Sequence, residues 1–313
     1  MQIGDHSMEI DRKELKRQAR ERMALTDPKF WVVALAYIAM TTGVSWLFSL
    51  IPTPGAGASP VPFIDTLDIF LQLLLTLYYI VVQFGLCLWA LWTYRQLDPG
   101  VNSLTQGFSV AGRVLLMELG ILVRILGWYF LAAMALSVPF TMLAVGVGDY
   151  GTRWIFFFLF FLSLFITAYA ISLRYALAPY LLADRPDDGS TIPILRSVEL
   201  MRGWKMELFK LDLSFMGWEA VNFILSAAVV LTCLYQAGLL SPSFTDANQV
   251  LEWAEACRSV AYSAPVTVLS TLITIPVSLW LIPYRSVSKA GFYDARLAAA
   301  AREQGPLPEM PPL

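Results

Sequence analysis

A chain of 313 residues that is 57% hydrophobic and only 15% charged cannot cover itself with the polar surface a soluble fold of this size needs, since soluble domains carry about a quarter charged residues. Mean hydropathy is +0.60, and apolar runs of about 20 residues recur along the chain, which indicates a polytopic membrane protein. Net charge is −2, the one histidine is His6, and Cys87, Cys233 and Cys257 have no ligand spacing. These exclude imidazole-based chemistry, histidine or CxxC metal sites and a nucleic-acid surface, and leave open whether Cys233 and Cys257 pair.

In chain order, "MEIDRKELKRQARERMAL" (residues 8–25) predicts a helix with Leu15, Ala19 and Met23 on one narrow apolar stripe. Its six basic residues against four acids predict attraction to anionic lipid headgroups, with a purely solvated helix as the alternative. Residues 1–29 form this basic cytoplasmic segment. They are too polar and too long for a signal peptide. Six spans are then predicted: Phe30 to Ile51, Leu67 to Trp92, Arg113 to Pro139 with an extension to Val145 left open, Trp154 to Ala178, Leu211 to Tyr235 and Ala264 to Pro283. "PTPGAGASPVP" ends the first, and Pro139, Pro276 and Pro283 bend or end the third and sixth. No β-barrel alternation is present. The expected fold is therefore an all-α bundle of six transmembrane helices within residues 30–290, with cytoplasmic amphipathic helices.

Orientation follows Lys and Arg. Seven precede the first span, Arg95 and Arg113 lie between spans two and three or at the latter's start, six run from Arg174 at the end of span four to Lys210, and four follow the sixth, leaving only Arg153 and Arg258 on the other side and Arg124 inside span three. Both termini are expected in the cytoplasm. Residues 291–313, ending "EQGPLPEMPPL", are expected to be a disordered cytoplasmic tail.

Between spans four and five, residues 191–210 predict an amphipathic helix in the cytoplasmic interface. Arg196, Glu199, Gly203, Glu207 and Lys210 share one face, and Val198, Leu200, Met201, Trp204, Leu208 and Phe209 the other. Gly203 is a candidate break. Polar stripes also run through the spans: Asp68, Gln72, Thr76, Tyr79 and Gln83; Asp212, Glu219, Asn222 and Ser226; Thr267, Ser270, Thr274 and Ser278. Lipid cannot satisfy such groups, so they face the bundle interior, either as packing hydrogen bonds or as a solute path. Gly120 and Gly127 offer one face for close helix approach. The candidate intramembrane polar cluster is Glu118, Arg124, Arg174, Asp212, Glu219 and Asn222. Glu219 is expected to pair with Arg124, with Glu118 as rival partner to that arginine, and Asp212 to meet water or Arg174. No HExxH, GxSxG or Walker loop occurs. "GVGD" at Gly146–Asp149 has the form of an intramembrane aspartyl-protease motif, but it lies in a predicted outer loop and Tyr293-Asp294 lies in the cytoplasmic tail, so a glycine-rich turn is the natural reading.

Four stretches carry a resemblance. "RKELKRQARERM", "LRYALAPYLLADRP", "RSVELMRGWKMELFKLDLSFMGW" and "LIPYRSVSKAGFYD" together resemble domain-of-unknown-function family nine-seven-five, in the same order. The resemblance implies a multi-span bacterial plasma-membrane protein and brings no activity and no catalytic residues. The expected function is non-enzymatic, without cofactor or metal, in interaction or envelope maintenance. The alternative is transport of a small solute, ion or lipid along a polar path near Arg124 and Glu219. A dry interior favours the first and a wet polar cavity the second. A membrane-protein partner or a second copy of the chain is left open.

Overall fold

The computed structural model describes residues 11–49, 62–97, 99–146, 150–240 and 247–303. Among them there are helices and no strand. In order they are α1 (Arg12–Ala24), α2 (Phe30–Ile38), a π turn (Ala39–Gly43), α3 (Val44–Ser49), α4 (Pro62–Tyr94), α5 (Ser103–Gln106), α6 (Ala111–Gly146), α7 (Tyr150–Ser172), α8 (Ala178–Asp184), α9 (Thr191–Leu200), α10 (Lys205–Leu213), α11 (Met216–Gln236), α12 (Ala247–Ala261) and α13 (Ala264–Glu303). Short 3₁₀ turns link α5 to α6, α7 to α8 and α8 to α9. Six stretches are long and apolar enough to cross a membrane, in agreement with the six predicted spans. The predicted breaker cluster after the first span and most of "GVGD" lie outside the described residues.

The spans are longer than the pattern predicted. α4, α6 and α13 have 33, 36 and 40 residues, or about 50–60 Å of helix against a hydrocarbon core of about 30 Å. Pro139 lies inside α6, and Pro276 and Pro283 inside α13. Neither helix stops there, because neighbouring helices and side chains can satisfy the freed carbonyls. The disordered tail expected from residue 291 is corrected in the same way. The helix runs to Glu303 because Gly291, Phe292, Tyr293 and Arg296 are buried against the other elements.

Packing is uneven along the bundle axis. The face that carries α1 and the end of α13, here the terminal face, holds the dense core: Trp89, Leu91, Leu104, Met201, Leu208, Phe215, Phe292 and Tyr293 are all fully buried. By contrast, only 6% of each of the third, fourth and fifth apolar windows is fully buried within the protein, the rest being half-buried or exposed. α6 packs on α7 and α4, while α13 packs on α11, α4 and α2. α12 packs at the other end, on α11 and α13.

α1 starts where Asp11 accepts from the backbone N–H of Lys13 and Glu14, a side-chain N-cap. Its predicted stripe of Leu15, Ala19 and Met23 is buried, packed on α13 and α4. The amphipathic character therefore serves protein packing, and the outer side keeps Lys13, Arg17 and Arg20 exposed. Arg22 stacks on the Tyr94 ring and donates to the Tyr94 carbonyl. The predicted helix at 191–210 is two helices, α9 and α10, broken at Gly203 with φ +83°. A positive φ favours glycine because it has no Cβ. The apolar face of the pair, Met201, Trp204 and Leu208, is buried in the terminal core instead of resting on lipid.

Candidate functional site

The first span is interrupted by the π turn, a local widening that shifts carbonyls out of the α-helical register. α4 supplies donors for them. Tyr78 Oη donates to the Met40 carbonyl at 3.0 Å and Tyr79 Oη to the Thr41 carbonyl at 3.2 Å. One turn away, Tyr37 Oη donates to Gln83 Oε1 at 2.5 Å. Between this hydroxyl-bonded pair of spans and α6, α8 and α13 lies a cavity of about 600 Å³. Thr41, Thr42, Ser45, Gln83, Thr267 and Thr271 put polar groups on a lining that is mostly apolar, with Tyr37, Trp46, Tyr79 and Ile80 among its walls. Phe84, Cys87 and Pro179 lie toward the terminal face, where the buried core closes the bundle.

Among the described residues Glu118 is the one carboxylate on this cavity. It sits seven residues into α6, about 10 Å along the helix, and is half-buried. Among the described residues it makes neither an ion pair nor a hydrogen bond. The predicted stripe of span two divides here. Tyr79 and Gln83 reach the cavity, Thr76 bonds back to the Gln72 carbonyl, and the Asp68 side chain lies outside the described residues.

The expected Arg124–Glu219 pair does not form. Arg124 Nη1 donates to the Gly120 carbonyl one turn back, at 2.9 Å, and Glu219 pairs with Arg285 at 3.0 Å. The two residues do start their spans from the same face, but α6 packs on α7 and α4 while α11 packs on α13. Spacing gives depth along a helix and is silent on which helices are neighbours. Asp212 is likewise not met by Arg174. Lys289 Nζ lies 3.0 Å and Arg285 Nη2 3.4 Å from its carboxylate, and Tyr169 Oη donates to it at 3.3 Å. Arg174 faces the Trp128 ring at 5.9 Å. Asn222 Nδ2 donates to Ser278 Oγ at 3.4 Å, joining the polar stripes of spans five and six. Glu207–Lys210 pairs as its spacing predicted, whereas Arg196 turns to Asp188. Gly120 comes against Ile194, but a Cβ on Gly127 would meet nothing within 4 Å. Hence only one of the two glycines marks a close approach.

This arrangement yields a direct expectation. A double-mutant cycle of Arg285→Ala and Glu219→Ala on thermal stability in detergent should show coupling of about 0.5–1 kcal/mol, since both side chains are partly exposed. Arg124→Ala and Glu219→Ala should add within about 0.5 kcal/mol. Coupling in the second cycle and none in the first would reverse the assignment.

A second polar network escaped sequence reasoning. At the end of α4, Arg95 forks between two carboxylates, with Nη1 and Nη2 at 2.5 and 2.9 Å from Asp184 and Nη2 at 2.7 Å from Asp294. Tyr293 Oη also donates to Asp184, at 2.7 Å. Burial opposes the charge on Arg95, but hydrogen bonds and attraction from the two aspartates outweigh it, so its pKa is raised and the guanidinium stays charged. Asp184 and Tyr293-Asp294 lie in two of the stretches whose resemblance was noted above, "LLADRP" and "GFYD". Arg285 and Lys289 had a weaker signal. They are four apart on one face, opposite acids seven apart.

Residues 8–300 match the model of a protein family of unknown function, DUF975. The chain belongs to that family. The match covers every helix described above except the last three residues of α13, so the cavity and both ion networks fall within the DUF975 region. No curated protein and no solved structure matches the chain.

Proposed function

We propose that this chain is a non-enzymatic, transport-type protein of the bacterial plasma membrane, both termini in the cytoplasm, that admits a small polar solute into the cavity between the first span, α4, α6 and α13. The observation that carries this reading is a cavity of about 600 Å³ at the depth of the spans, largely apolar with a few polar side chains on its wall, which is the make-up and size of small-molecule sites. An unpaired carboxylate on its wall supports it, because intramembrane acids are costly and lean functional. Interaction or envelope maintenance, the first expectation, asks for a dry interior, and dry packing here is concentrated at the terminal face. The polar path is not the one expected near Arg124 and Glu219, whose charges are met by Gly120 and Arg285. The excess of Lys and Arg around the terminal face supports cytoplasmic termini.

Both parts are tested by thiol labelling of intact cells. In a variant lacking the other cysteines, Cys257 on α12 should react with an impermeant reagent. Thr271→Cys and Ser45→Cys should react from the same side through the cavity. Labelling of Cys257 only after lysis would overturn the orientation. Labelling of the two cavity positions by membrane-permeant reagents alone would overturn the solute cavity.

A further inference from the structure

Resting on the solute-cavity reading, we propose that the ligand is a small organic cation bearing N–H donors, an amine, with Glu118 as its counter-charge.

Charge complementarity comes first. Among the described residues no Lys, Arg or His lines the cavity, and Glu118 is the only carboxylate on it. An anionic solute would meet that carboxylate with nothing to offset it. A cation meets the one charge present, in surroundings of low dielectric where the attraction is strong.

The direction of the hydrogen bonds adds to this. Thr41 Oγ1 donates to the Tyr37 carbonyl, Thr267 Oγ1 to the Ser263 carbonyl and Thr271 Oγ1 to the Thr267 carbonyl. Tyr37 and Tyr79 donate their hydroxyl protons to Gln83 and to the Thr41 carbonyl. A hydroxyl has one proton and two lone pairs. With their protons committed to protein acceptors, these five oxygens can offer a ligand only lone pairs. The wall thus holds five acceptor oxygens for a ligand that donates, beside the Thr42 and Ser45 hydroxyls and the Gln83 amide N–H, which can serve the ligand's own acceptors.

Size separates an organic cation from a metal ion. A cavity of about 600 Å³ is far larger than a bare ion needs. Among the described residues no group of three or more His, Cys, Asp or Glu could hold a metal, and divalent cations of the calcium class take six or more oxygen ligands close in. An amine is available from two sources, a free solute or the headgroup of an aminophospholipid, and both present the same ammonium.

The test uses the full chain, purified in uncharged, lipid-free detergent, with thermal unfolding as the readout. Ethanolamine and putrescine are the cationic probes, glycerol and sodium acetate the neutral and anionic controls, at equal ionic strength. Phosphatidylethanolamine in mixed micelles is the lipid arm. A saturating amine should raise Tm by about 3 °C, and Glu118→Gln should abolish the rise while keeping Tm at or above that of the parent, as expected where an unpaired acid is removed. A rise with the lipid alone assigns the headgroup as the source. The proposal is overturned if amines shift Glu118→Gln and the parent equally, or if neither amine nor lipid shifts the parent. If glycerol or acetate raises Tm and Thr271→Trp, which fills the cavity, removes that rise, the cation class fails while the solute cavity stands. Thiol labelling that finds the cavity closed to water is the separate failure of that underlying reading.

Discussion

Replacing Arg95 with methionine is expected to cost about 3 kcal/mol, because it leaves two partly buried carboxylates facing each other with no cation between them. The Arg95, Asp184 and Asp294 side chains are 31%, 21% and 25% exposed, so water can replace little of what the guanidinium supplies. Arg95→Lys should fall between, since an ammonium keeps the charge and loses the fork that reaches both acids. Adding Asp184→Asn and Asp294→Asn to Arg95→Met should recover part of the loss, because the repulsion then disappears. The measurement is Tm and monodisperse yield in detergent. An Arg95→Met protein as stable as the parent would remove the network from any anchoring role. The expected damage reaches beyond the local contact. Arg95 directly follows α4, Asp184 ends α8 and Asp294 lies on α13, so one side chain ties three elements that close the bundle on the terminal side of the cavity.

What the sequence discloses here is set by the range of each signal. A run of apolar residues is a local property, and all six spans were legible from it. So was the stripe of Leu15, Ala19 and Met23, although the pattern could not say that protein, and not lipid, covers it. Gly203 was legible as a break because the helical pattern on either side of it has two parts. The sixth span was read short at Pro283, since a local rule stops at proline and tertiary packing carried the helix on, whereas the extension of the third past Pro139 to Val145 was left open and α6 runs to Gly146. The ion pairs were the least legible. Arg124 and Glu219 have matching depths, yet the order of helices around the bundle is a global property, and Arg285 lies on the helix that packs against Glu219. The cavity was half visible. Tyr79 and Gln83 stood out as a stripe and Glu118 as an intramembrane acid. Its other wall, Tyr37 to Trp46, depends on a π turn that has no hydrophobic signature.

Gly85→Ala is expected to match or exceed the loss of Arg95, at about 3 kcal/mol, because the added methyl would press on backbone. A Cβ on Gly85 would lie 2.2 Å from the Leu104 carbonyl oxygen, and a Cβ on Gly107 2.7 Å from the Val81 carbonyl oxygen. Val81 and Gly85 are one turn apart on α4, so the chain leaving that helix folds back and lays α5 and its following 3₁₀ turn directly against the α4 backbone. Close approach of this kind places Cα–H groups against carbonyls. Accommodating a methyl would need a shift of about 1 Å to restore normal carbon–oxygen separation. Leu104 is fully buried, so the segment cannot move without disturbing the terminal core. Gly127→Ala provides the contrast. That glycine also lies inside a span, with nothing within 4 Å of its would-be Cβ, and the change should be neutral or stabilising by up to about 1 kcal/mol. Equal effects of the two substitutions would mean that helix propensity, and not backbone contact, governs both. The loss at Gly85 should also be felt in the cavity. Phe84 and Cys87 flank Gly85 on the same stretch of α4 and line the cavity toward the terminal face, so thiol labelling of Cys87 should rise in Gly85→Ala. Backbone packing at α5 and the closure of the cavity are then two readings of one contact, and a destabilised Gly85→Ala protein with Cys87 still unreactive would separate them.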